Sequence, residues 1–295
     1  MSLVSSRRAF IALRTLLRSL GQVVLQPNAI TGSGVLAAWV LYSPRLACAA
    51  LLGAAIANAD AMLAKQASRD TLQGLHGFNG ALAALAVFTF IHDNALAISL
   101  ALLASLGTAW LLGPWSRWLR RYGLCFYSSP CLLVTALWLP FITISNPASP
   151  PLHAPSTSLL SHAANWLSGL AQSGFATGAW PGLLMLAGIA IASRRHAIWA
   201  LLGSGLASSA HLLLGATDAS FNMGLLGFNG ALTGLALADA GILAALGGIS
   251  LSVVLQHFAN SYGLLALTTP FVLATWSMQR LKLHAHKSLR ADAAR

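Results

Sequence analysis

Glutamate is absent from this chain, and six aspartates are the only acidic residues among 295. Charged residues of both signs make up 8% of the sequence, against roughly a quarter in soluble domains. So sparse a charge cannot solvate the surface of the two soluble domains that this length would otherwise allow. It also leaves no paired carboxylates for acid–base work, and no Gly-x-Ser-x-Gly, His-Glu-x-x-His or Cys–His constellation occurs, so an enzyme is not expected. Cysteine is scarce as well. Cys48, Cys125 and Cys131 are odd in number and sit in apolar sequence, which argues against a disulfide framework or a Cys-x-x-Cys metal site, and no metal or cofactor is expected.

What fills the chain instead is hydrophobic, at 57% of residues. No Asp, Glu, Lys or Arg occurs in residues 122–193, and no Lys or Arg in 196–279. The windows 94–113, 197–214, 241–256 and 262–278 approach the roughly 20 apolar residues that a membrane span needs, and about ten spans are expected in all. The net charge of +11 resides at Arg7, Arg8, Arg14 and Arg18, at Arg117, Arg120 and Arg121, and in residues 280–295. These positions flank apolar segments, so they read as topology determinants beside anionic lipid rather than as a nucleic-acid surface. No removable signal peptide is expected, because Arg14 and Arg18 break the first apolar stretch.

An internal repeat organises the chain. Residues 21–90 align without a gap on residues 171–240, and 24 of the 70 positions are identical. The strongest block is Gly77-Phe78-Asn79-Gly80-Ala81-Leu82 against Gly227-Phe228-Asn229-Gly230-Ala231-Leu232. Further on, Ser128-Ser129-Pro130-Cys131 answers Thr268-Thr269-Pro270-Phe271 at an offset of 140, so ten residues are extra in the first half. The link between halves is proline-rich and lacks Lys and Arg, as expected of a non-cytoplasmic loop. With the basic ends inside, each half then crosses an odd number of times. The expected fold is an all-α integral membrane protein of two inverted repeats, residues 1–145 and 159–280, each of about five transmembrane helices. A connector at 146–158 joins them and a basic tail at 281–295 follows.

A re-entrant or half-length pore helix is expected in each repeat. Residues 14–28 and 168–178 are too polar and too interrupted for lipid-facing spans, and they carry Gln22 and Gln172 at equivalent positions. A primary amide offers donors and an acceptor without charge, which suits a neutral polar solute, although Gln also serves as glue between membrane helices. Ser128 and Thr268 precede prolines, Pro130 and Pro270, that remove a backbone donor and free a carbonyl one turn earlier. The alternative is a hydroxyl-satisfied kink inside a span. Phe175 lies three residues after Gln172 and could form one wall of a slot for planar solutes; its counterpart is Leu25. Asn79 and Asn229 are expected to satisfy freed backbone groups at helix breaks. Asp60 and Asp218 keep an ion-coupled carrier open, though neither has an acidic partner in the other half.

Together these residues resemble the urea transporter family. The resemblance rests on the run from Gly21-Gln22-Val23 through Leu25-Gln26-Pro27-Asn28 to Gly32, on both Gly-Phe-Asn-Gly blocks, and on the run Leu267-Thr268-Thr269-Pro270-Phe271 to Trp276. It implies passive, channel-like transport of urea, a homotrimer with one pore per subunit, and a bacterial plasma membrane with both termini cytoplasmic. It further implies that Gln22, Gln172, Ser128 and Thr268 supply hydrogen-bonding oxygens, that Leu25 and Phe175 are slot walls, and that Val23, Leu82 and Leu232 are nearby apolar lining. Three departures stand out: Leu25 in place of an aromatic ring, Ser128 to Cys131 as a degraded copy of the Thr-Pro-Phe motif, and Ser173-Gly174 after Gln172. Another neutral solute, ammonia or a short amide, remains an alternative substrate.

Overall fold

The structure is a computed structural model that describes residues 2–66, 68–142 and 159–292; the expected connector at 146–158 lies outside them. Fourteen α-helices and one short 3-10 turn, and no strand, occur among the described residues. The first half runs α1 (Ser2–Gln22), α2 (Ala29–Tyr42), α3 (Pro44–Leu63), α4 (Ser68–Leu72), α5 (Gly77–Phe90), α6 (Asn94–Arg121) and α7 (Ser129–Trp138). The second runs α8 (Leu159–Gln172), α9 (Ala179–Ala192), α10 (Arg194–Leu213), α11 (Asp218–Asn222), α12 (Phe228–Leu237), α13 (Ile242–Ser261) and α14 (Thr269–Asp292).

The sequence repeat is reproduced in the helix boundaries. α2, α3 and α4 recur as α9, α10 and α11 shifted by 150 residues at both ends. α6 and α13 end, and α7 and α14 begin, 140 residues apart. Most of the extra length of the first half lies in α6, with 28 residues against 20 in α13.

Three helices, α3, α6 and α13, are long and apolar enough to cross a membrane. Five further apolar helical segments are shorter, including α2 and α9 with 14 residues each, about 21 Å of helix. The expected window at 262–278 is not one span. Gly263 takes φ 64°, residues 264–268 are non-helical, and α14 starts only at Thr269. An apolar average over that window is blind to the backbone break. α14 runs unbroken from Thr269 to Asp292, into the expected basic tail.

Close backbone approach holds each half together. α3 packs on α5 through Gly53 and Gly80, and α10 on α12 through Gly203 and Gly230; a Cβ on any of the four would overlap a carbonyl oxygen of the facing glycine. Small residues of this kind supply packing where lipid removes the hydrophobic drive between helices. The halves meet mainly through α2 and α9. Thr31 Oγ1, early in α2, donates to Gly188 O, late in α9, at 2.7 Å. Trp39 Nε1, late in α2, donates to Gly174 O just before α9 at 2.7 Å. The two equivalent helices therefore run in opposite directions. Trp39 is fully buried, with Met185 and Ile189 of α9 in the same core.

Candidate functional site

Gln22 and Gln172 are the last residues of α1 and α8. The segments 14–28 and 168–178 are each a helix C-terminus followed by a tight turn toward the next helix. The turns are left-handed at side-chain-bearing residues, with Leu25 at φ 58° and Phe175 at φ 61°. A bulky residue there costs about 1–3 kcal/mol, so both positions are held by what surrounds them. Leu25 N–H donates to Gln22 O at 2.9 Å and Phe175 N–H to Gln172 O at 3.1 Å. Both side chains are half-buried, while Val23 beside them is buried.

The two glutamines make the same contact. Gln22 Nε2 donates to Gln73 O at 3.3 Å, and Gln172 Nε2 to Met223 O, the equivalent carbonyl, at 2.9 Å. Gln172 adds a bond to Thr177 Oγ1 at 2.8 Å. A carbonyl partner fixes which end of each amide is the nitrogen. Each Oε1 consequently points elsewhere, and among the described residues neither accepts a hydrogen bond. Sequence reading offered these amides as donors and acceptors alike; with the nitrogens engaged on backbone, the oxygens are what remains.

The short helices converge on a second pair of turns. Tyr127 and Leu267, directly before Ser128 and Thr268, are also left-handed, at φ 44° and 45°. Asn79, in the first turn of α5, donates from Nδ2 to Tyr127 O at 3.1 Å and accepts Cys131 N–H on Oδ1 at 3.1 Å. Asn229 in α12 does the same with Leu267 O and Phe271 N–H, both at 3.1 Å, and donates also to Gln256 Oε1 at 2.9 Å. Ser128 Oγ and Thr268 Oγ1 then meet at 2.7 Å across the seam between the halves. Leu82 and Leu232 are buried one turn into α5 and α12.

The prolines kink no span. Pro130 and Pro270 stand in the first turn of α7 and α14, where a helix has no use for the missing N–H and the fixed φ fits. Nor are the carbonyls four residues earlier left bare. Phe126 O accepts Ser129 N–H at 3.0 Å and Ala266 O accepts Thr269 N–H at 2.9 Å. The donors of the first helical turn are then accounted for, from Ser129 and from Thr269 onward. Leu132 N–H and Val272 N–H go to Ser128 O and Thr268 O at 3.0 and 3.1 Å, and Asn Oδ1 takes the residue in between. A helix N-terminus ordinarily binds anions through free N–H groups; in these two the N–H groups of the first helical residues are already taken.

Several contacts have no counterpart in the repeat, and sequence comparison of the halves could not find them. Gln26 Nε2 pairs with His196 Nδ1 at 3.0 Å, and His196 Nε2 with Asp239 Oδ2 at 3.1 Å, tying the Leu25 turn to the opposite half. Phe78 stacks on Phe126 with centroids 5.9 Å apart, whereas residue 266 is alanine. The two acidic carrier candidates take part in none of these hydrogen bonds. Asp60 accepts from Trp110 Nε1 at 3.0 Å near the end of α3, and Asp218 is exposed at the start of α11. Among the described residues no group of His, Cys or acidic side chains is arranged to hold a metal.

In comparison with known proteins, the family model for urea transporters matches residues 13–282. That family consists of transporters rather than enzymes, and with the apolar helices the match makes the chain an integral membrane protein. The protein belongs to the urea transporter family.

Proposed function

We propose that the chain conducts urea passively, through a pore of its own in each subunit formed where two inverted repeats, residues 1–145 and 159–280, meet. The observation that carries this reading is the donor account around Ser128 and Thr268. From Ser129 to Leu132 and from Thr269 to Val272 every backbone N–H is engaged or replaced by proline, so the side-chain groups left for a solute are two hydroxyls and the Oε1 atoms of Gln22 and Gln172. A solute suited to such a lining is neutral and rich in N–H donors. None of these side chains carries a charge to hold an anion, and the positive ends of converging helix dipoles disfavour cations. Urea, flat and with four N–H bonds, fits both conditions.

In this mechanism urea exchanges water for protein acceptors in sequence. An amide stripped of partners loses roughly 2–7 kcal/mol, enough to stop useful flux. Acceptors of similar strength along the path remove most of that barrier. Ser128 and Thr268 exchange their mutual hydrogen bond for bonds to the solute as it passes. Leu25 and Phe175, with Val23, Leu82 and Leu232, form apolar walls that admit the flat faces and offer nothing to ions. Asn79, Asn229, Pro130 and Pro270 hold the helix ends rather than the solute. The opposed directions of α2 and α9 support the inverted arrangement, and the basic flanks support cytoplasmic termini in a bacterial plasma membrane. Membership of the family supports a homotrimer.

Stopped-flow urea uptake into proteoliposomes without an ion gradient tests the proposal. Wild type should equilibrate urea far faster than empty vesicles, and Gln22→Ala or Gln172→Ala should slow it roughly tenfold, the equivalent of about 1.4 kcal/mol. No uptake above empty vesicles by correctly folded protein overturns it.

A further inference from the structure

The repeat is also broken behind the start of α12, and there by a polar side chain. In the second half Gln256 fills the space behind the start of α12: its Nε2 donates to Leu225 O at 2.8 Å, its Oε1 accepts from Asn229, and it is buried. The equivalent residue in α6 is Ser116, too short to make either contact. A cavity of about 250 Å³ stands there, with Leu75, His76 and Ser116 in its wall and Asp70, Arg117 and Arg120 among its charged lining. The counterparts of the two arginines are His257 and Asn260, so space and positive charge appear together in one half alone.

The arginines are placed for a ligand. Neither forms a hydrogen bond or ion pair among the described residues; the ion pairs there belong to Asp239. Arg117 folds back along its own helix, with Nη1 only 3.5 Å from where a Cβ on Gly113 would stand, which directs the guanidinium toward the cavity. Depth supports a lipid. On the same last turns of α6, Trp115, Trp118 and Tyr122 form a ladder with ring centroids 4.9 and 5.2 Å apart. Arg280 joins it by donating to Tyr122 O at 3.1 Å. Aromatic rings interleaved with cations mark the headgroup layer. We infer that this cavity is a phosphate site that holds the headgroup of an anionic phospholipid, with Arg117 and Arg120 clasping the phosphate and Asp70 accepting from headgroup hydroxyls.

Delipidated full-length protein in detergent supplies the test, by native mass spectrometry and thermal unfolding with added phosphatidylglycerol, diacylglycerol of the same chains, or inorganic phosphate. Arg117→Ala/Arg120→Ala removes the clasp. Ser116→Gln fills the cavity with the second half's own side chain while keeping both charges, and Arg121→Ala removes a neighbouring charge that does not line it. Wild type and Arg121→Ala should retain phosphatidylglycerol at least about tenfold more tightly than the other two, and diacylglycerol should be held equally weakly by all. Phosphate that alone reproduces the stabilisation, and is lost in the same two variants, assigns the site to free phosphate instead of lipid. Equal retention by all four proteins, loss in Arg121→Ala as large as in the double variant, retention by Ser116→Gln, or no retention by wild type overturns the proposal. Circular dichroism of each variant confirms folding before binding is scored.

Discussion

Asn229 engages three groups with one buried amide, Leu267 O, Gln256 Oε1 and Phe271 N–H, whereas Asn79 engages two. Replacement by aspartate keeps the acceptor and removes the donors, turning carboxylate oxygen toward oxygen. Each buried partner so abandoned costs about 1–3 kcal/mol. Asn229→Asp is therefore expected to destabilise by about 3 kcal/mol or more and Asn79→Asp by about half as much, a ranking that denaturant unfolding in detergent reads directly. The two asparagines were legible in the sequence because the Gly-Phe-Asn-Gly block is duplicated. What they hold was not. The left-handed residues beside their partners are Tyr127 and Leu267, and those after the glutamines are Leu25 and Phe175; none is the Gly or Asn that announces such a turn. Tertiary contacts impose that backbone, and no local propensity encodes it.

Among the helices, a facing-glycine contact can be set against a helical glycine with room for a Cβ, which permits a paired prediction. A Cβ at Gly80 would overlap Gly53 O and crowd Ala57, and overpacking of this kind costs about 1–3 kcal/mol or more. At Gly107 in α6 the nearest atom to an added Cβ is Val134 Cγ2 at 3.5 Å, an ordinary contact. Gly80→Ala should lower the unfolding midpoint in detergent, and Gly107→Ala should leave it unchanged or raise it, since alanine favours helix by up to about 1 kcal/mol. Helix order followed the repeat closely enough that boundaries recur at fixed offsets. Where hydropathy misled was at breaks inside apolar sequence: residues 262–278 look continuous by composition, yet α14 begins at Thr269 behind a turn. Helix starts such as those of α7 and α12 are marked by proline or by the glycine-flanked asparagine, signals that apolar averaging discards.

For the molecule as a whole, the passive pore proposed above and an ion-coupled carrier differ in how they respond to membrane potential. The residues singled out for the solute path, Gln22, Gln172, Asn79, Asn229, Ser128 and Thr268, carry no ionisable group, while Asp60 accepts from Trp110 late in α3 and Asp218 is exposed at the start of α11. A carrier that moved one charge per cycle would feel about 2.3 kcal/mol for each 100 mV of membrane potential, close to fiftyfold in accumulation. A neutral solute crossing alone feels none of it. Potassium-loaded proteoliposomes with valinomycin should therefore reach the same final internal urea concentration with or without an imposed potential. Asp60→Asn and Asp218→Asn should reach it at wild-type rates. Accumulation above the external concentration, driven by the potential or by a proton gradient and abolished by either substitution, would place the coupling site at an aspartate and leave the seam between Ser128 and Thr268 as packing alone.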